Sequence, residues 1–428
     1  MYEKIVSVVV LVIVYILIVS DVVHRSIAAL LGAVIIVGLG ILPTEHVIHY
    51  VHWEALGLIF GMFILVAALK ETGFFRWIGL HAIRAAKFDT LKLFIYFNLI
   101  TAFLAAFMDS ITVVIFMASL SIESCRLLKH KPLPFLIAIF AAANIGGAAT
   151  MVGDPPNVIL GISLGYGFMD FVTHTGPIAV IVLGVNITFF YFWYRRYFHE
   201  KLTAEEIEAL QKNHELEPFT AIKDLKHMRI ALIIFVFTVT LFIIHQLLDI
   251  LVAFAAILGA TILLVVGGKD MPQLIEKIDW LTLLFLASLF IIVGGMEYSG
   301  VLHDMANSIV AFSGGNAFII VTLLLWMSAL ASSFLDNIPF VTAIVPVIRD
   351  ISATSNISLG TLTWTSALGA DVGGISTPVA SSANVVGLAV AEKHGVRITW
   401  KQFLKVAFPA MILCMIVINI LIFVFFLL

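Results

Sequence analysis

Apolar stretches about 20 residues long follow one another along almost the entire chain, and each is enough to cross a hydrocarbon core. In lipid every backbone N–H and C=O must be satisfied internally, so a chain of this kind folds either as a bundle of helices or as a closed barrel. A barrel would show short strands of alternating polarity, and none are seen. The expected fold class is therefore an all-α polytopic membrane protein. Complete spans are read at 4–20, 26–42, 55–70, 134–165 and 177–196, then at 229–247, 251–268, 280–296, 361–390 and 403–427. The stretches 90–127 and 317–347 each consist of two apolar legs around a polar break, and are read as re-entrant hairpins. The first segment is read as a span and not a signal peptide, because no small-residue cleavage site precedes His24-Arg25.

Composition narrows the function classes. The chain is 61% hydrophobic and 12% charged, where a soluble domain carries about 25% charge. A net charge of −3 supplies no basic face, so no nucleic-acid partner is expected. Cys125 and Cys414 fit neither a disulfide framework nor a metal knuckle. No His-Glu-x-x-His, Gly-x-Ser-x-Gly or P-loop pattern occurs, so an enzyme is not expected. With the spans above, every one of the 24 Lys and Arg except Lys4 and Arg349 falls on one side. The positive-inside rule makes that side cytoplasmic and places both termini outside.

The two halves match without gaps at an offset of 227. Ala28 to Ala33 pairs with Ala255 to Ala260, Trp53 with Trp280, and Gly73 with Gly300. Phe107 to Ile111 pairs with Phe334 to Ile338, while Gly146, Gly147, Thr150, Asn157 and Val158 pair with Gly373, Gly374, Thr377, Asn384 and Val385. Alignment of Trp, Asp, Asn and Gly-Gly at one offset points to an internal repeat. Five full spans per half, an odd number, make the repeats inverted, an architecture of secondary transporters. The expected units are residues 1–194, a cytoplasmic linker at 195–228 with a charged, solvated run, and residues 229–428.

Four places put polar residues inside apolar sequence. Two are hairpin tips, Asp109-Ser110 and Asp336-Asn337. Two are broken helices, Asn144 to Asn157 and Asp371 to Asn384, whose Gly-Gly and Pro residues stop a helix. A charged Asp at a membrane helix centre costs roughly 2.5–3.5 kcal/mol, so Asp109, Asp154, Asp336 and Asp371 are candidate cation ligands or proton carriers. The competing reading is a carboxylate that only caps a helix. Asp109 pairs with Asp336 by the repeat, but Asp154 pairs with Ser381 and Asp371 with Asn144, so the halves are chemically unequal. No Arg or Lys falls within these four places. An anion there would be held by helix N-termini, by Asn, Ser and Thr donors including Ser376, Ser381 and Ser382, or by bound cations. His46, His49 and His52 have the look of metal ligands, but Tyr50 and Trp53 beside them favour an interfacial segment.

Residues 144–157, Asn-Ile-Gly-Gly-Ala-Ala-Thr-Met-Val-Gly-Asp-Pro-Pro-Asn, resemble a signature of the pink-eyed dilution protein group. Ser328 to Val347 and Ser381 to Val386 are similar to that group as well. Arsenical pump membrane proteins and sodium/dicarboxylate transporters are more distant relatives in the same ion transporter superfamily. The resemblance implies a homodimer in which each protomer has a scaffold domain and a mobile, elevator-type transport domain. It further implies one sodium cluster at Asp109, Ser110, Gly147, Thr150 and Asn157, and another at Asp336, Asn337, Gly374, Thr377 and Asn384. The tips depart from the Ser-Asn-Thr of the dicarboxylate branch.

The expected function is secondary active transport of a small anion or oxyanion, of carboxylate or arsenite type, coupled to Na+ or H+, with no other cofactor. The alternative is a Na+/H+ antiporter without organic substrate. The expected location is a prokaryotic inner membrane, with lipid as the surrounding partner.

Overall fold

The computed structural model describes every residue except 1, 21, 199–202, 212–215, 269–272 and 335. Lys201, Lys212 and Lys269 of the charge pattern, Glu215 of the linker and Leu335 of the second hairpin lie outside the described residues. The described residues form helices and no strand.

The first half contains α1 (Tyr2–Val19), α2 (Arg25–Gly38), α3 (Thr44–Tyr50), α4 (Trp53–Glu71), α5 (Phe74–Ala85), α6 (Thr90–Ala105), α7 (Ser110–Leu127), α8 (Leu133–Gly147), α9 (Pro155–Leu164) and α10 (Phe168–Trp193). Two short helices, α11 (Arg195–Phe198) and α12 (Ala204–Gln211), belong to the linker. The second half contains α13 (Leu225–Ile244), α14 (Val252–Val266), α15 (Gln273–Glu276), α16 (Trp280–Tyr298), α17 (Val301–Ser313), α18 (Ala317–Phe334), α19 (Asn337–Thr354), α20 (Leu359–Gly373), α21 (Ser382–Lys393) and α22 (Trp400–Ile422). Seven helices are long and apolar enough to cross a membrane, and α2, α6, α8, α9 and α14 are shorter apolar helices. The chain is a polytopic helical membrane protein.

A shift of 227 carries α4 onto α16 and α7 onto α19 residue for residue. Small features recur at the same shift. The Trp53 indole donates to Ile48 O, and the Trp280 indole to Ile275 O. Packing recurs too. α6 lies on α8 as α18 lies on α20, while α2 packs on α16 and α4 on α14 across the halves. The α6–α8 contact and its counterpart explain one glycine in each half. A Cβ on Gly146 would stand 2.2 Å from Ala102 O, and one on Gly373 would stand 2.6 Å from the Ala329 Cα. Only glycine lets those backbones approach so closely.

The spans expected from sequence are largely present as helices, with additions. Between α4 and α6 the chain forms α5, and α17 occupies the matching place. Neither stands out in the sequence, because a twelve- or thirteen-residue amphipathic helix carries a polar face that a search for apolar runs passes over. α10 begins at Phe168 instead of 177, with Pro177 inside it. The segments 134–165 and 361–390 are each two helices, as their Gly-Gly and Pro residues imply.

Candidate functional site

Each broken helix leaves carbonyls unpaired at the end of its first half. In the first break, Asn157 Nδ2 donates to Gly147 O (3.0 Å) and Thr150 O (3.1 Å). In the second, Asn384 Nδ2 donates to Gly374 O (2.8 Å) and Thr377 O (2.9 Å). The two asparagines do the same work at the same offset. The Thr150 hydroxyl donates to Ala106 O and the Thr377 hydroxyl to Ser333 O, which ties each break to the neighbouring hairpin tip.

The tip carboxylates act as helix caps. Asp109 accepts from Ile111 N (3.3 Å) and Thr112 N (2.9 Å) at the start of α7. Asp336 accepts from Ile338 N (3.4 Å) at the start of α19. Ser381 caps α21 by accepting from Ala383 N, and the Ser376 hydroxyl bonds locally to Gly373 O.

The residue after each tip reaches inward. The Ser110 hydroxyl donates to Asp154 Oδ1 (2.9 Å). Asn337 Nδ2 donates to Asp154 Oδ2 (2.8 Å) and also to Asp371 Oδ1 (3.4 Å). Asn144 Nδ2 donates to Phe140 O (2.8 Å) and to Asn384 Oδ1 (3.4 Å). Ser110, Asn144, Asp154, Asn157, Asn337, Asp371 and Asn384 are all buried, and the bonds from Ser110 through Asp154 and Asn337 to Asp371, and from Asn144 to Asn384, run between the two halves. The single Asn337 nitrogen thus brings the Asp154 and Asp371 carboxyls beside one another. Among the described residues, Asn144 Oδ1, Asn157 Oδ1 and Asp371 Oδ2 accept no hydrogen bond. Buried polar atoms are almost always paired, so these three oxygens mark a place suited to a cation or a donor.

No basic side chain is expected at any of the four polar points from the sequence, and here the structure differs. The Arg25 guanidinium donates to Asp336 Oδ2 (2.8 Å), to the Ser382 hydroxyl and to Thr282 Oγ1 (3.2 Å). It also lies 5.4 Å from the centre of the Phe285 ring. The Ser382 hydroxyl donates to the same Asp336 oxygen (2.5 Å). Asp336 thus carries an ion pair as well as its cap. By its place in the chain Arg25 reads as an ordinary loop charge. A signal is nonetheless available, because it sits at the first residue of an apolar helix, where a cation opposes the helix dipole.

His52 precedes α4 and lies beside Ser163, at 3.3 Å, and Phe290, while the His46 ring lies 5.6 Å from that of Tyr298 at a tilt of 36°. Among the described residues no three His, Cys, Asp or Glu side chains form a metal-holding group.

The citrate transporter family profile matches residues 15–369. The chain belongs to that family. It is 35% identical over 409 residues to an uncharacterized transporter of Mycobacterium tuberculosis, covering 94% of each chain. It is 30% identical over 487 residues to the P protein of Sus scrofa, covering 94% of this chain and 57% of that protein. Two solved transporters share the fold. They are YdaH of Alcanivorax borkumensis, with a TM-score of 0.62 at 14% identity over 89% of this chain and 87% of that one, and MtrF of Neisseria gonorrhoeae, with a TM-score of 0.61 at 11% identity over 90% and 84%. MtrF represents a class of antimetabolite efflux pumps. The chain is therefore an integral membrane transporter and not an enzyme.

Proposed function

We propose that this transporter moves a small carboxylate or related oxyanion by secondary active transport coupled to Na+ or H+. The observation that carries the reading is the bridge made by Asn337, whose one amide nitrogen holds Asp154 of the first half and Asp371 of the second. Among the described residues neither carboxyl has a basic partner in contact. Two such buried groups need a compensating cation or proton, since isolated buried charge is costly. The unpaired oxygens of Asn144, Asn157 and Asp371 supply further acceptors for it. The family description, citrate transporter, supports a carboxylate as the other half of the pair.

The halves 1–194 and 229–428 act as inverted repeats around this cluster, joined by the 195–228 linker. The matching helix bounds and the twinned Asn157 and Asn384 bonds support that relation. The hairpins are re-entrant, and they and the broken helices move as one body against a scaffold in an elevator-type cycle, within a homodimer. Asp109, Ser110, Gly147, Thr150 and Asn157 serve one cation position. Asp336, Asn337, Gly374, Thr377 and Asn384 serve the other, with Ser376, Ser381 and Ser382 near the substrate. The membrane is a prokaryotic inner membrane with both termini outside. The acid-rich cluster also favours a second reading, a Na+/H+ antiporter without organic substrate.

The test is thermal stability of the purified protein in sodium against choline chloride. A ligand that binds only the folded state raises Tm by mass action. Sodium coupling gives a sodium-specific rise that Asp371→Asn removes, and citrate adds to it in sodium. A rise with sodium and none with any carboxylate favours the antiporter. Proton coupling gives no sodium effect and a citrate response that strengthens as pH falls. No response to sodium, pH or carboxylates would sink the proposal.

A further inference from the structure

We propose that Arg25 is the anion-binding side chain of transport, and that a substrate carboxylate binds by taking the place of Asp336 on it. This rests on the carboxylate-transport reading above. A guanidinium presents a planar fork of donors matched to both oxygens of one carboxylate. Arg25 does not have that partner here. It takes a single oxygen of Asp336 and gives two further donors to the Ser382 and Thr282 hydroxyls. The Asp336 carboxylate is in turn divided between capping α19 and accepting from Ser382 and Arg25. A free carboxylate can engage the fork with both oxygens and recruit the Ser382 hydroxyl that now bonds Asp336.

Access permits the exchange. The Arg25 side chain is 23% exposed and that of Asp336 is 11% exposed, so the pair is sheltered but reachable. The Phe285 ring lies beside the guanidinium, 5.4 Å from its central carbon, and Thr282 is itself held by Asp279, which accepts its hydroxyl at 2.5 Å.

Position gives the exchange a consequence. Asp336 is the residue before Asn337, which holds Asp154 and Asp371. When an anion takes Arg25, the Asp336 carboxylate loses its counter-charge one residue from the amide that bridges two other carboxyls. The tip then favours a cation more strongly than before. Anion binding thus raises cation affinity, and by reciprocity cation binding raises anion affinity. The ion pair that looks structural becomes the element that couples the two ligands.

The experiment measures citrate binding by calorimetry on the purified full chain in sodium, for wild type, Arg25→Gln, Arg25→Lys and Asp336→Asn. Ligand-free Tm checks folding in each. Arg25→Gln should weaken citrate binding by about tenfold or more, the range for losing a hydrogen bond to a charged group. Arg25→Lys, which keeps the charge but not the fork, should fall between, and it decides the matter if the Gln variant does not fold. Asp336→Asn keeps a good helix cap while removing the competitor. It should bind citrate several-fold tighter and lose the mutual enhancement between citrate and sodium. A merely structural ion pair predicts instead that the Arg25 and Asp336 variants lose stability alike and leave citrate affinity unchanged or weaken it together. That result overturns the assignment of Arg25 while leaving the transport reading intact. Wild type that binds neither citrate, other carboxylates nor oxyanions overturns both.

Discussion

Asn157 and Asn384 are the residues on which the broken helices most directly depend. Each gives one amide nitrogen to two carbonyls of the preceding helix end. Asn157→Ala should leave the carbonyls of Gly147 and Thr150 unpaired in a buried setting, at about 1–3 kcal/mol each. Asn384→Ala should cost the same for Gly374 and Thr377, and both losses are read as a fall in Tm in detergent. An equal Tm for either variant would mean that water or neighbours satisfy those carbonyls. The pairing of these asparagines is legible in the sequence, because they stand at the same 227-residue offset as the other matched positions. Their partners are not, since a broken helix can be satisfied in several ways. Asp109 and Asp336 show the same division. That they interrupt the membrane sequence is readable, but the Arg25 that meets Asp336 comes from a helix distant in the chain.

At the scale of elements, the close approach of α8 to α6 sets the position of the first break. Gly146→Val would drive a side chain into the Ala102 backbone. Overpacking of this kind costs about 1–3 kcal/mol, with more expected where backbone must move. Gly373→Val should act likewise through Ala329, and a circular dichroism melt would register both. The linker behaves differently. The Lys129 ammonium, 2.5 Å away, with help from Thr203, holds the Glu206 carboxyl down to about 2. A carboxyl lowered on folding contributes stability above its ordinary value and loses it only as pH falls through the lowered one. That contact is therefore constant across roughly pH 5–8, and Glu206→Gln should leave the pH profile of transport unchanged. A shifted profile would give the linker a part in proton coupling. The charge of this segment marks it as solvated from sequence alone, while the amphipathic α5 and α17 escape notice because hydropathy sees only uniformly apolar helices.

For the molecule as a whole, the legible part is what the 227-residue offset and hydropathy encode: a helical membrane bundle, two broken helices and four carboxylates set within apolar sequence. Burial in one bundle brings Asp154 and Asp371 under one Asn337 amide, an arrangement no spacing in the chain announces because Asp154 and Asn337 lie in different halves. The family adds that such a bundle is a transporter. Whether the bridged carboxyls couple an ion gradient to a carboxylate is decided most directly by uptake of labelled citrate into proteoliposomes without ATP, under an imposed sodium or proton gradient. Uptake against a citrate gradient, driven by one of those ions and lost in Asp154→Asn and Asp371→Asn, is the expected result. Sodium–proton exchange with no uptake of citrate or any other anion, or uptake that persists undiminished in both variants, would contradict it.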